Sequence, residues 1–544
     1  MNFTNIIKII PPFCIFLSIL LYSGRTDCVF LFTIEYTLTS LAILLIKRKS
    51  ISNILWGIYL SILGVQAASL FSSGQYLMPL ALSNAAEVGS LGIGEIIKVF
   101  SIFISFVIIS FVTMPSGALV ERIKYYKFNL FCIVLLLVCS FISAGPVYSF
   151  YETAKLYYLQ QTFKPSEKIG DAGKSFLKTS VFINPIPIQN NNNFKGRNVI
   201  VIFAEGFSSE IIGNSKTDAF SITPNLDKLS TEALSFKNYY NHTAATFRGL
   251  RGQLTSGYQF RDGLTDTGTG IAQLSNSEIN NIYLHRQTSL PDILKEYGYK
   301  SYFIASTEKN SPLNTMLKTL NFDKVLGMGE FIGYQRDRMT DKQTFNALKY
   351  FLRSQENKNE HFFIGVYPSG THHGQDSPNE KYFDGSNPLY NKFYNYDFQL
   401  GQFVDFFRRS SFYGNTLLII TSDHSTFPST EYKKSFNSDS RFFVDKIPFL
   451  VIGKDIAPEV LDAGGKNSLS FAPTILHMLG IQYSMNYFLG CSLLDKMCTS
   501  PFSHLSAIGS DYFNTSKENH VELIQNNSNN ELIKLAELFY NISG

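Results

Sequence analysis

The sequence predicts a multi-span α-helical membrane domain of about five helices, followed by an α/β domain with a mostly parallel central sheet. Three observations lead there. Apolar residues crowd into five runs within the first 150 of 544 residues, the rest of the chain alternates short apolar runs with longer segments of helical period, and all nine histidines lie beyond residue 240.

The five runs cover residues 6–22, 29–46, 54–71, 96–114 and 128–144. Each is about long enough to cross a hydrocarbon core of ~30 Å. A cleaved signal peptide accounts only for the first. Lys47, Arg48 and Lys49 fall between the second and third runs, and Arg122, Lys124 and Lys127 between the fourth and fifth. Basic loops stay cytoplasmic, so an odd number of spans places everything after about residue 150 across the membrane. The net charge of +4 and the lack of a long basic run exclude a nucleic-acid partner. Of six cysteines, Cys14, Cys28, Cys132 and Cys139 lie in or beside the runs. Cys491 and Cys498 lie outside them, a pair suited to one disulfide in an oxidising compartment.

This divides the chain into a membrane domain (1–149), a connector (150–195), an α/β domain (196–500) and a polar tail (501–544). The connector carries Pro185 and Pro187 and ends in four asparagines at 190–193. In the α/β domain NVIVIFAE precedes TPNLDKLSTEAL, SLPDILKEYG precedes YKSYFIAST, and FNALKYFLRS precedes HFFIGVYPSG. FQLGQFVDFFRRS then leads to NTLLIITSDH, and IPFLVIGK closes the series. Strands alternating with helical segments argue for βαβ units.

Functional groups of such a sheet gather beyond the carboxyl ends of its strands. NVIVIFAE ends on Glu205, TLLIITSDH delivers Asp423 and His424, and HFFIGVYPSG is followed at once by Thr371, His372 and His373. One strand-end acid or one histidine is more often a cap or a satisfied polar group; three strands delivering them to one edge argue for a site. Glu205, Asp423 and His424 suit a divalent cation such as Zn²⁺ or Mn²⁺, which accepts mixed oxygen and nitrogen donors. A fourth donor and nucleophile is sought in YNHTAATFRGLRGQLTSGY, where a polar segment enters a helical pattern at Thr246. A threonine hydroxyl gains nucleophilicity when a metal lowers its pKa, and a helix amino terminus favours phosphate. Thr243 competes with Thr246, and spacing does not choose between them.

The runs NVIVIFAEGFSSE, TPNLDKLSTEALSFKNYYNHT, TFRG, THHG, FQLGQFVDFFRRSSFYGNTLLIITSDHST, IPFLVIGK and SFAPTILHMLGI resemble the sulfatase-like fold of lipoteichoic acid synthases and phosphoethanolamine transferases, in the alkaline phosphatase superfamily. The resemblance covers nearly the whole chain. That group joins five amino-terminal spans to an extracytoplasmic catalytic domain in the bacterial cytoplasmic (inner) membrane. The resemblance implies that Glu205, Thr246, Asp423 and His424 hold the metal. It makes Thr246 the nucleophile ahead of Thr243, because the family places a glycine, here Gly249, shortly after it. It gives His372 contact with the substrate phosphate or acid-base work, with His373 as a secondary partner. Arg248 and Arg251 have charge to pair with a phosphate, without a clear counterpart in the family.

The reaction implied has two steps. Thr246 attacks a membrane phospholipid headgroup, diacylglycerol leaves, and an acceptor hydroxyl on a surface glycan or glycolipid displaces the phospho-alcohol from the threonine. A membrane-anchored phosphodiesterase or phosphatase of the same fold, with water as acceptor, is the alternative. A non-catalytic assembly protein is disfavoured because none of the four ligands is missing. No Cys lies in the C/S-x-P-x-R pattern of true sulfatases, so sulfate-ester hydrolysis is not expected. The nucleophile region also lacks the cysteines of lipid A phosphoethanolamine transferases, and AEGFSSE is closer to the phosphoglycerol branch, which favours phosphoglycerol over phosphoethanolamine.

Overall fold

The computed structural model describes residues 3–44, 46, 48–77, 93–114, 145–162, 171–183, 194–213, 221–259, 276–283, 287–331, 338–356, 358–509, 511–515, 520–525 and 530–543. The chain divides into two units, one comprising Met1–Leu82, Leu91–Gln161 and Pro428–Ser435, the other Ser83–Ser90, Thr162–Phe427 and Phe436–Gly544.

In the first unit, helices run Phe3–Tyr22, Val29–Leu44, Lys49–Ser73, Ile93–Val112 and Pro146–Thr162. Two stretches, Thr26–Leu44 and Lys49–Ser73, are long and apolar enough to cross a membrane. The expected first and fourth spans correspond to shorter apolar helices, Ile7–Tyr22 and Ile96–Val112. These apolar stretches lie within helices of 20 residues, which at 1.5 Å per residue reach about 30 Å, the depth of a hydrocarbon core. The fifth, residues 128–144, lies outside the described residues. Among the described residues, two of the five expected spans are long and apolar enough by both criteria. Gly64 lets the third and fourth of these helices close up, since a Cβ there would lie 2.9 Å from the Phe106 Cβ. Trp56 Nε1 donates to Thr113 Oγ1 at 3.1 Å across the same pair.

The second unit contains β1 (Lys178–Ser180), β2 (Asn198–Ala204), β3 (Leu234–Lys237), β4 (Lys300–Glu308), β5 (Lys324–Met328), β6 (Phe362–Tyr367), β7 (Thr416–Ser422), β8 (Phe449–Ile452), β9 (Glu459–Asp462), β10 (Tyr483–Asn486), β11 (Leu505–Ile508), β12 (Asp511–Thr515) and β13 (Val521–Leu523). Eight of them form one sheet in the order β5-β4-β6-β2-β7-β8-β3-β9. The sheet is mixed: β8 runs antiparallel to both neighbours, β7 and β3, while the other pairings are parallel.

Every residue of β2, β6 and β7 is buried, as expected of central strands covered on both faces. The TPNLDKL segment begins the helix Pro224–Glu232, with Pro at its first turn. Its free N–H groups are met by a carboxylate from another helix: Asp397 accepts from Asn225 N at 3.0 Å and Leu226 N at 2.7 Å.

Residues 501–544, polar by composition, carry the β11-β12-β13 sheet and the helix Glu531–Ser543. Ile533, Ala536 and Tyr540 share one helical face and are buried in a cluster with Tyr258, Leu469 and Leu505. Cys491 and Cys498 are joined by a disulfide, with Cα atoms 5.8 Å apart.

Candidate active site

Ala204 and Ser422 end β2 and β7 as register partners, so Glu205 and Asp423 leave the sheet side by side. The two exits are laced together. Gly206 N and His424 N donate to Asp423 Oδ1 at 2.8 and 2.7 Å, and Ser422 Oγ donates to the Ala204 carbonyl at 2.8 Å. Gly206 has φ +51°, and a Cβ there would meet the His424 ring at 3.3 Å. This close turn is what glycine allows.

Thr246 opens the helix Thr246–Thr255, preceded by Ala245 at φ 72°, a conformation that costs a non-glycine residue about 1–3 kcal/mol. The helix is seated on the end of β7: Gln253 Nε2 donates to the carbonyls of Ser422 and Asp423 at 2.9 and 3.0 Å. Thr246 Oγ1 thereby donates to Glu205 Oε2 at 2.8 Å. Thr243 Oγ1 is buried with no hydrogen-bond partner among the described residues. Arg248 is buried and its Nε donates to the Ala244 carbonyl at 2.8 Å, bracing the turn before the helix. Arg251 is also buried, its guanidinium 5.0 Å from the Tyr283 ring centre.

His424 Nε2 lies 3.4 Å from Glu205 Oε1 and 3.5 Å from Asp423 Oδ2. Its Nδ1 pairs with the Ser425 carbonyl at 2.7 Å, which fixes the ring and leaves Nε2 as the inward atom. Glu205, Asp423 and His424 each offer a ligand atom within 4.8 Å of the others. Asp423 Oδ2 is buried and accepts no hydrogen bond among the described residues.

Electrostatics reinforce the picture. Burial and the Glu205 charge push the Asp423 carboxyl up to about 8. Burial works against protonating His424, but the Asp423 and Glu205 charges outweigh it and push the ring up to about 9. Burial likewise opposes the Glu205 charge, yet His424, His372 and Tyr367 hold its carboxyl well below the usual range. Two buried carboxylates, an inward imidazole nitrogen, an orphaned carboxylate oxygen and an adjacent hydroxyl are a donor set that fits a divalent ion.

The Thr371–His373 loop is tied to this centre through Thr371 Oγ1, which donates to the Glu205 carbonyl at 2.5 Å. His372 Nδ1 pairs with the His373 carbonyl at 3.0 Å, and the buried Lys392 donates to the His372 carbonyl at 3.2 Å. His373 packs against Phe427, ring centres 4.8 Å apart, and is pushed down to about 3 by burial, with Lys392 and His372 adding to it. One member of the site was missed from sequence. Tyr367, the last residue of β6, donates to Glu205 Oε2 and stands 3.4 Å from Thr246 Oγ1. Its only signal was its place at the end of a strand pointing to the same edge.

A sulfatase family profile, described as "Sulfatase", matches residues 197–481. Lipoteichoic acid synthase 2 of Bacillus subtilis is 23% identical over 329 residues, spanning 56% of this chain and 48% of that protein. Phosphoglycerol transferase I of Citrobacter koseri is 23% identical over 304 residues, spanning 52% of this chain and 37% of that one. The chain thus spans about half or less of the length of these curated relatives. Among solved structures, an alkaline phosphatase superfamily protein of Vibrio parahaemolyticus aligns with a TM-score of 0.49 at 18% identity, covering 72% of this chain and 93% of that one. The lipoteichoic acid synthase LtaP of Listeria monocytogenes aligns with a TM-score of 0.48 at 17% identity, covering 65% and 90%.

Proposed function

Because the chain belongs to the sulfatase family, we propose that it is a membrane-bound, metal-dependent transferase that moves a phospho-alcohol, phosphoglycerol in preference to phosphoethanolamine, from a phospholipid to a surface glycan or lipid acceptor. The observation that carries this reading is the Thr246 hydroxyl resting on Glu205 at 2.8 Å, beside Asp423 and His424. In this reading the amino-terminal unit is a domain of about five spans in the cytoplasmic membrane, and the catalytic unit faces outward.

Glu205, Asp423, His424 and Thr246 would hold a Zn²⁺ or Mn²⁺ ion. Such an ion supplies positive charge against the transferring phosphoryl oxygens and acidifies a bound hydroxyl. Thr246 Oγ1 releases its proton to solvent and bonds to phosphorus as the phosphorus–oxygen bond to diacylglycerol breaks, the departing oxygen taking its proton from His372. An acceptor hydroxyl then bonds to phosphorus and passes its proton to His372, while the bond from phosphorus to the Thr246 oxygen breaks and that oxygen takes a proton back from solvent. The helix amino terminus at Thr246 favours the phosphate electrostatically, and Arg248 and His373 complete the substrate-binding side.

The test is diacylglycerol release by the full-length protein from phosphatidylglycerol and from phosphatidylethanolamine, with added Mn²⁺ or Zn²⁺, for wild type and Thr246→Ala. Release from one lipid that disappears in the variant is the expected result. An active Thr246→Ala would move the nucleophile elsewhere, with Thr243 next, and no release from either lipid would refute the donor class. Headgroup released to water even with acceptor supplied would identify a phosphodiesterase instead.

A further inference from the structure

Asp423 and Glu205 are held in place by different means. Asp423 is short, and two backbone N–H groups, of Gly206 and His424, pin its Oδ1. Glu205 has a longer side chain whose terminal torsion is broad. Among the described residues, its Oε2 accepts from two hydroxyls, Thr246 Oγ1 and Tyr367 Oη, while Oε1 faces His424 Nε2 at 3.4 Å. In the proposed reaction Thr246 must give up its proton, so it cannot anchor the carboxylate throughout a turnover. Tyr367 can: it is buried, rigidly placed at the end of β6, and β6 is hydrogen-bonded to β2 with Ile202 opposite Val366.

We propose that Tyr367 is a positioning residue of the ion site, whose hydroxyl holds the Glu205 carboxylate with one oxygen toward Thr246 and the other toward His424. The inference rests on the ion-binding part of the function proposed above. A phenol is well suited to the task. It reaches the carboxylate from the neighbouring strand and brings a donor without a second charge. It also stands close enough to Thr246, at 3.4 Å between oxygens, to keep that hydroxyl on the same carboxylate oxygen.

The experiment compares wild type with Tyr367→Phe, which removes one oxygen and keeps the ring, in full-length detergent-solubilised protein. Mn²⁺ and Zn²⁺ affinities are measured by calorimetry, and the visible absorption of the Co²⁺-loaded protein reports ligand arrangement. Loss of an outer partner of a metal ligand costs ~10–100-fold in affinity. The expected result is a loss of that size, with an altered Co²⁺ spectrum and an unchanged melting temperature for the ion-free protein. Tyr367→Leu, which removes the same hydroxyl with a different apolar side chain, gives a second reading should Tyr367→Phe fold poorly: the inference requires a comparable loss of ion affinity in it. Affinity within twofold of wild type and an unchanged Co²⁺ spectrum in Tyr367→Phe would overturn the proposal. So would a wild type that binds none of the three ions at micromolar concentration. Tyr367-dependent ion binding without diacylglycerol release would support this inference and refute the transferase reading alone.

Discussion

Gly249→Ala is the sharpest test of how the nucleophile is placed. A Cβ on Gly249 would lie 2.3 Å from the carbonyl oxygen of Asp423 and 2.9 Å from its carbonyl carbon. Both are main-chain atoms of the residue that directly follows a fully buried strand, so they cannot swing aside. A relaxed carbon–oxygen contact needs at least ~3.3 Å, which requires the Thr246–Thr255 helix to retreat by about 1 Å. The same retreat stretches the 2.8 Å bond from Thr246 to Glu205 to about 3.8 Å, beyond hydrogen-bond range. Overpacking costs about 1–3 kcal/mol, and replacing a helical glycine returns up to about 1 kcal/mol. Stability therefore falls by ~0–3 kcal/mol, whereas a 1 Å misplacement at a reacting group costs ~100-fold in rate. Diacylglycerol release at saturating ion and thermal melting followed by circular dichroism separate the two effects. Gly414→Ala, where a Cβ meets nothing within 4 Å, serves as the control. More than a third of wild-type activity in Gly249→Ala would refute the reasoning.

Asp423→Asn should abolish tight Mn²⁺ or Zn²⁺ binding, read by calorimetry, because it removes the charge from the buried oxygen that accepts no hydrogen bond among the described residues. Ion affinity should rise with pH and level off above about 9: below that, His424 (about 9) and Asp423 (about 8) carry protons that the ion must displace. Calorimetry in buffers of different ionisation enthalpy counts the protons, and release that does not shrink between pH 7 and 9.5 would contradict the assignment. The buried His242 is pushed down to about 3 by burial. The unfolded chain therefore takes up its proton first, and stability is lost as pH falls below the unfolded value of ~6.5, by about 2 kcal/mol at pH 5. His242→Asn should flatten the fall in melting temperature between pH 7 and 5, and an unchanged slope would assign the acid sensitivity elsewhere.

Glu205, Asp423 and His424 were legible in the sequence because apolar runs of strand character stop at them and a parallel sheet sends those stops to one edge. Thr246 was not separable from Thr243 by spacing. The structure distinguishes their surroundings, since the first hydroxyl meets Glu205 and the second meets no hydrogen-bond partner among the described residues. Tyr367 escaped notice for a physical reason: an aromatic residue ending a buried strand reads as core, and its role emerges only once the pairing of β6 with β2 is known. The reversal of β8 was equally hidden, because IPFLVIGK announces a strand but not its direction. The number of spans was the least legible part, since an apolar helix buried in a core shares the composition of one that crosses a bilayer.

The pairing of Ala204 with Ser422 sets the gap between the main chains that carry Glu205 and Asp423 by the interstrand spacing, ~4.8 Å. The jaw of the site is thus a calliper cut from the middle of the sheet, its opening fixed by main-chain bonds and independent of loop length. The main-chain frame of such a site cannot loosen by itself. Its capacity to grip an ion should vanish in the same cooperative event that unzips β2 from β7, so a bound ion acts as a rivet through the fold's centre and raises its melting point in proportion to the logarithm of ion concentration.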